Sequence, residues 1–165
     1  MLTLLAASAG APARLEPLER LAALLESGDT IWLDLDSPAQ GDVDLLRTAF
    51  GFHPLALEDC TGHANHPKVD DYGAYLYLVV HGVVAAARRG EVQTAELDCF
   101  LGPRYLVTYH DGPFPTIDEI RRRCLEVPGA LARGADWLLH TIVDQLADTF
   151  LDLIERMDED VDALE

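Results

Sequence analysis

The feature that most constrains the fold is the last stretch of the chain, residues 135–165, which contains neither glycine nor proline. Apolar residues recur in it at alternating steps of four and three, the spacing of a helix that packs along its length: Leu139, Val143, Leu146, Phe150, Leu153 and Met157. The stretch therefore predicts one long helix. Its pattern has no C-terminal cap and runs to the last residue, so we expect the sequence to be a piece of a longer protein.

A second set of residues in this stretch is acidic and follows the same period on another face of the helix: Asp144, Asp148, Asp152, Glu155, Glu159 and Asp162. Like charges at this spacing repel one another, so a cation near the face would relieve them. The whole chain has 29 acidic and 12 basic residues, a net charge of -17. This charge argues against nucleic acid and anionic lipid as direct partners, because both would be repelled. Three interpretations of the acidic surface are left: it attracts cations, it binds basic protein surfaces, or it only keeps the protein solvated.

The rest of the chain mixes strand and helix patterns. Residues 30–36 alternate, which places Ile31, Leu33 and Leu35 on one face and Trp32 and Asp34 on the other. Further strands are predicted at 2–7, 74–86, 92–101 and 105–109, and the last three should form an antiparallel meander. Helices are predicted at 14–25, 38–50 and 116–126. In the last of these helices, Thr116 is expected to be the N-cap and Glu119 to complete a capping box. We expect one α/β domain, residues 1–134, followed by the long helix.

One segment, residues 50–80, fits neither a generic helix nor a generic strand. Gly51 ends one helix and His53-Pro54 restarts the chain, so a second short helix is predicted to carry the neighbouring acids Glu58 and Asp59. Two adjacent carboxylates cannot both pair with the same base. The pair therefore indicates either a metal or subunit contact, or a solvated helix end, and the residues alone leave both open.

Directly after these acids come Cys60, His63 and His66, at C-x2-H-x2-H spacing. Thiolate and imidazole are ligands that zinc prefers, and a loop would let the three converge. No clear fourth ligand follows, so incidental histidines in a surface loop are the favoured interpretation and zinc the alternative. The chain has three cysteines without a paired framework, which predicts a reducing, cytosolic environment rather than disulfides.

The segments FGFHPLALED and HANHPKVDDYGAYLYLVV resemble the cytoplasmic domain of the CorA family of divalent-cation channels, which includes the zinc-associated ZntB branch. The resemblance extends more loosely upstream to IWLDL and downstream to the acidic helix. It implies an α/β/α sandwich with a mixed, largely antiparallel sheet, whose last helix continues as a stalk into two membrane helices bearing a Gly-Met-Asn motif. Neither those helices nor the motif is present here.

The resemblance also implies a function. Family members assemble as homopentamers at the cytoplasmic face of the inner membrane and hold regulatory Mg²⁺ between protomers. The residues that fall on the family's carboxylate positions are Asp59, Glu58 and Asp144. Mg²⁺ keeps several waters and needs few carboxylates, so weak regulatory binding is expected, with Zn²⁺ the alternative if the chain belongs to the zinc branch.

An enzymatic function is not expected. The chain contains no nucleophile elbow, P-loop, dinucleotide-binding fingerprint or His-Glu-x-x-His motif. A metal hydrolase built from Asp34, Asp36, Glu58 and Asp59 is conceivable, but nothing in their spacing requires it.

No run approaches the roughly 20 apolar residues that cross a bilayer, so we expect this part of the chain to be soluble. A free-standing acidic interaction module is the remaining alternative.

Overall fold

The computed structural model describes residues 1–62, 66–85 and 92–162. Its strands are β1 (Leu2–Ala7), β2 (Arg14–Glu16), β3 (Thr30–Asp36), β4 (Lys68–Asp71), β5 (Leu76–Ala85), β6 (Gln93–Leu101) and β7 (Tyr105–His110). Its α-helices are α1 (Leu21–Glu26), α2 (Gln40–Phe50), α3 (Pro54–Thr61), α4 (Pro115–Glu126) and α5 (Ala135–Asp162), with short 3₁₀ turns at Leu18–Arg20 and Leu131–Arg133.

All seven strands form one sheet in the order β2-β1-β3-β7-β6-β5-β4. Every pairing is antiparallel except that of β3 with β7, which is parallel. The predicted meander is confirmed as β5-β6-β7. Residues 86–91, which connect its first two strands, lie outside the described residues.

Helices cover both faces of the sheet, as the predicted α/β/α sandwich requires. On one face, α1, α2 and α3 pack over a core that includes Leu33, Leu46 and Leu57. On the other face, α4 and α5 pack over a second core that includes Trp32 and Ile142. The alternation predicted for β3 is confirmed, because its odd-numbered residues join the first core and Trp32 the second.

The helix predicted at 14–25 is wrong in its first half. Residues Arg14–Glu16 instead form β2, which pairs with β1, and the α-helix begins only at Leu21. Pro17 explains the break, since it lacks an N–H and favours an extended conformation in the residue before it. The edge of β1 supplies the backbone partners that the helix would have provided.

The capping box predicted for α4 is also wrong. The helix begins at Pro115, with Phe114 in the N-cap position and no side-chain cap, and Thr116 lies buried inside the first turn. Proline suits this position because the N–H it lacks has no partner in a first turn.

Helix α5 is confirmed from Ala135, and its buried residues all lie in its first half. Leu139 and Leu146 of the predicted apolar seam are buried together with Leu138 and Ile142, whereas Val143 and Met157 of the seam are exposed. The buried face is therefore offset from the seam, because the helix packs on a sheet and on α4 rather than on one partner helix. In the acidic stripe, Asp144, Asp148, Asp152 and Glu155 are exposed, and the side chains of Glu159 and Asp162 lie outside what is described.

Candidate functional site

Helix α3 is fixed at its start by His53. The imidazole Nδ1 of His53 accepts a hydrogen bond from the Leu55 N–H at 3.2 Å, which caps the helix, and Pro54 takes the first helical position. The His53 N–H donates to the hydroxyl of Tyr75 at 2.8 Å, and the His53 ring stacks on Tyr72. The His-Pro sequence therefore holds α3 against the segment that leads into β5.

The two neighbouring acids of α3 point in different directions. Ala56, Leu57 and Cys60 are buried under the helix, which leaves Glu58 exposed and Asp59 half-buried at its side. Neighbouring side chains on a helix diverge by about 100°, so the two carboxylates do not point toward the same bound ion.

Lys68 of β4 occupies the position beside Asp59. Its ammonium donates to Asp59 Oδ2 at 2.5 Å and lies 3.0 Å from Asp70 Oδ2. Hydrogen bonding first to Asp59 and then to Asp70 raises the pKa of Lys68 above its ordinary value, so the amine stays charged. The ammonium also lies 5.3 Å from the centre of the Tyr77 ring. One cation is thus already held between two carboxylates at this surface. The pairing of Lys68 with Asp59 could not be predicted from local patterns, because nine residues separate the partners.

Asp144, the third predicted ligand, lies on the other side of the molecule. It is an exposed residue of α5, and the sheet separates α5 from α3. One chain therefore does not bring Asp144 together with Glu58 and Asp59. Within residues 1–62, 66–85 and 92–162, no three His, Cys, Asp or Glu side chains are arranged to hold a metal ion.

The possible zinc ligands are dispersed or undescribed. Cys60 is buried, its thiol donates to the Leu57 carbonyl at 3.4 Å, and burial first, with nearby Asp98 adding to it, raises the pKa of that thiol well above its ordinary value. A thiol held protonated is a poor metal ligand. His66 is exposed, and His63 lies outside the described residues. The zinc alternative stays a prediction.

A buried polar cluster on the other face was not predicted as a unit. Asp34 of β3 is 1% exposed and accepts hydrogen bonds from the Thr108 hydroxyl and from Arg121 Nη2, each at 2.5 Å. The Trp32 indole N–H donates to the same Thr108 hydroxyl at 2.9 Å. The alternation of β3 placed Asp34 on a sheet face, but its partners come from β7 and α4, more than 70 residues away. Arg121 already neutralises Asp34, which argues against the metal hydrolase considered above.

His110 lies beside this cluster at the end of β7. Its Nδ1 is 2.7 Å from the Gly112 carbonyl, and its Nε2 lies 3.4 Å from Asp34 Oδ1 without hydrogen-bonding geometry. Burial lowers the pKa of His110, but Asp34 and the Gly112 carbonyl raise it and prevail. His110 is therefore a core residue at the end of a strand, since it is 3% exposed.

No helix in the described part of the chain is both long and apolar enough to span a bilayer.

Comparisons with known proteins agree on one family. A family profile described as CorA-like Mg²⁺ transporter protein matches residues 27–165. The chain is 34% identical over 134 residues to the putative metal ion transporter YfjQ of Bacillus subtilis, an alignment that covers 81% of this chain and 41% of that protein. It therefore spans less than half the length of this relative.

Two solved structures share the fold. The soluble domain of CorA from Methanocaldococcus jannaschii superposes with a TM-score of 0.73 at 14% identity, covering 98% of this chain and 62% of that one. The ZntB cytoplasmic domain from Vibrio parahaemolyticus superposes with a TM-score of 0.75 at 13% identity, covering 99% and 64%. At these identities the likeness establishes the α/β/α architecture alone. The profile match, which covers most of the chain, establishes more: this chain belongs to the CorA-like Mg²⁺ transporter family.

Proposed function

We propose that this chain is the cation-sensing, regulatory domain of a CorA-like divalent-cation transporter, at the cytoplasmic face of the membrane. Its place in a family of Mg²⁺ transporters supports transport as the activity of the whole protein. Its fold, shared with structures named as the soluble domain of CorA and the cytoplasmic domain of ZntB, supports the location. Transport itself requires a membrane-spanning part, so the role left to this domain is control.

The observation that carries the proposal is the ammonium of Lys68 held between Asp59 and Asp70. This arrangement supports the proposal, because the carboxylates beside α3 already pair with a positively charged group at the surface. Such ion pairs contribute little when they are exposed, typically below about 1 kcal/mol. A divalent ion with its water shell can therefore compete for Asp59, while Glu58 remains exposed on the same helix.

A second copy of the chain completes the site in this proposal. Asp59 and Asp144 lie on opposite layers of one molecule, so an ion that uses both must bridge neighbouring protomers. In a homopentamer, each α5 would present its acidic face to the α3 of the next chain. Bound Mg²⁺ would hold the protomers together, and its loss would let repulsion between the acidic surfaces separate them.

The test is a Mg²⁺ titration of the purified chain, following heat and sedimentation together. We expect weak binding that increases self-association, and a loss of both in Asp59→Asn and in Asp144→Asn. Asp44→Asn is the matched control, because Asp44 is an exposed helical aspartate paired with Arg47 as Asp59 is with Lys68.

Mg²⁺ binding that is the same in Asp59→Asn and wild type would contradict the assignment of Asp59. A parallel Zn²⁺ titration separates the branches of the family: tight Zn²⁺ binding that is lost in His63→Ala but kept in Asp59→Asn would replace magnesium sensing with zinc binding.

A further inference from the structure

A cavity of about 470 Å³ opens at the carboxyl ends of β3 and β7, the parallel pair of the sheet. From these ends the chain leaves in opposite directions, since β3 leads to α2 on one face and β7 leads to α4 on the other. In α/β sheets, such a reversal leaves a crevice between the departing connections, and ligands bind there. Its walls are Ser37 and Pro38 after β3, Tyr109 to Asp111 at the end of β7, the end of α3, and the start of β6.

The lining of this cavity is acidic and rich in oxygen. Glu96, Asp98 and Asp111 contribute carboxyl groups, and the described lining residues include no lysine or arginine. Further oxygen-bearing side chains come from Ser37, Thr61, Thr94 and Tyr109. His110, which is 3% exposed, also lines the cavity, and its Nε2 is buried 3.4 Å from Asp34 Oδ1.

Asp98 is the buried centre of this lining. It is 2% exposed, and its Oδ1 accepts a hydrogen bond from the Tyr77 hydroxyl at 2.5 Å. Burial raises the pKa of Asp98 to about 7, against the lowering effect of Tyr77, and Glu96 raises it further through charge and a shared hydrogen bond. Among the described residues, Asp98 has no basic partner. A buried carboxyl of this kind is costly to ionise, and a bound cation would lower that cost.

We propose that this cavity binds a small organic cation with N–H donors, such as an aliphatic amine, between Asp98, Glu96 and the oxygen atoms around them. Its volume lies in the range of small-molecule sites, about 300–1,000 Å³, and is far larger than one ion requires. A directly bound metal fits less well, because the described residues contain no group of three metal-binding side chains. An ammonium group needs only acceptors in reach, which the lining supplies.

This site is separate from the proposed magnesium position. Asp98 lies on β6 beneath the end of α3, whereas Asp59 faces Lys68 of β4. The charged and titratable groups that act on Asp98 or are acted on by it come from each neighbouring element. They are Tyr77 of β5, Glu96 and Cys99 of β6, Tyr109 of β7, and Asp59 and Cys60 of α3. Apart from the imidazole of His110, the described lining is acidic or neutral, so the lining attracts an added cation.

The experiment is an NMR titration of the ¹⁵N-labelled chain with 1,4-diaminobutane at constant ionic strength, with 1,4-butanediol as the uncharged analogue. We expect saturable shifts at the backbone amides of 94–98 and 109–111 with the diamine and none with the diol. Asp98→Asn should weaken the diamine by at least tenfold, because it keeps the shape of the side chain and removes its charge. Asp148→Asn, on the exposed face of α5, should leave the binding unchanged.

Glu96→Gln provides a second variant if Asp98→Asn does not fold, and it should weaken the diamine in the same direction. Three results would overturn the proposal: no saturable shift with the diamine, equal weakening in Asp148→Asn, or shifts at the same amides with Mg²⁺ but not with the diamine. The first would mean that the cavity is a surface depression, the second that binding is diffuse charge attraction, and the third that the site takes a metal.

Discussion

At the scale of single residues, aspartates of this chain lie in very different environments. Asp34 is 1% exposed and paired with Arg121, Asp98 is 2% exposed and bonded to a tyrosine, and Asp118 is exposed on α4. Burial removes a carboxylate from water, so its partner decides whether the residue stabilises the fold or destabilises it. These three positions therefore predict different responses to the same Asp→Asn substitution.

The pair between Asp34 and Arg121 joins β3 to α4, and breaking it should be costly. Removing one partner of a buried ion pair leaves the other charge uncompensated, which costs about 3–5 kcal/mol. Asp34→Asn should lower the free energy of unfolding by an amount of that order in urea titrations. Asp118→Asn is the matched control: Asp118 contacts the same arginine at 3.0 Å but is solvated, so its loss should stay within about 0.5 kcal/mol. Equal effects of the two substitutions would show that Arg121 does not depend on Asp34.

Asp98 should make stability depend on pH. Its pKa is about 7 in the folded chain, raised chiefly by burial, against an ordinary value of 3.8. A raised folded pKa means that the folded chain binds the proton more tightly, so this contribution is full below about pH 4 and is lost as the pH rises through about 7. Because a tenfold change in proton affinity is about 1.4 kcal/mol, the loss should reach a few kcal/mol.

Urea unfolding of wild type and Asp98→Asn at pH 5 and pH 8 measures this effect. The wild type should lose more stability than the variant between the two pH values, because asparagine does not titrate. An identical pH dependence in both proteins would contradict the raised pKa of Asp98.

At the scale of elements, the helix layer lies directly against the sheet at Gly82 of β5. A methyl group added there would lie 2.5 Å from Leu146 Cδ2 and 2.9 Å from Phe114 Cζ. The missing side chain therefore lets α5 and the start of α4 lie directly on the strand. The position also explains why β5 tolerates glycine in its interior, where it normally weakens a strand.

Gly82→Ala should therefore destabilise the chain by overpacking, by about 1–3 kcal/mol in urea titrations. Combining it with Leu146→Ala should give a smaller loss than the sum of the two single substitutions, since the smaller side chain makes room for the added methyl group. Gly28→Ala is the control, because no atom lies within 4 Å of its added methyl group. Strict additivity of the two substitutions would mean that the contact does not limit the packing.

At the scale of the whole molecule, the net charge of -17 acts against the folded state. Self-repulsion destabilises a compact chain, and salt screens it over a distance of about 10 Å at 0.1 M. The exposed acids of α5, from Asp144 to Glu155, add to this repulsion. Stability should therefore respond to ions in general before any specific site is filled.

The melting temperature should rise between 10 mM and 200 mM NaCl. If screening restores about 1 kcal/mol, the rise is about 2–4 °C for a chain of this size. Choline chloride at equal ionic strength should give the same rise, which identifies screening. The double variant Asp148→Asn/Asp152→Asn should respond less, and a melting temperature that falls or stays constant with salt would refute the role of self-repulsion.

Patterns that repeat locally could be predicted from the sequence, because they arise from contacts between residues near one another. The absence of glycine and proline predicted α5, the alternation of β3 predicted its two faces, and His53-Pro54 predicted the start of α3. The family resemblance, which rested on residues 50–80, is confirmed by the profile match.

Only the tertiary structure decided where the carboxylates lie and what they contact. The strands β2 and β4 are too short to show a period, and each is an edge strand paired with one neighbour. Arg121 reaches Asp34 from 87 residues away, and the sheet separates Asp144 from Asp59. Periodicity along a chain determines which face of an element is buried, but the charges that meet across a fold depend on the order of the strands, and the local sequence does not specify that order.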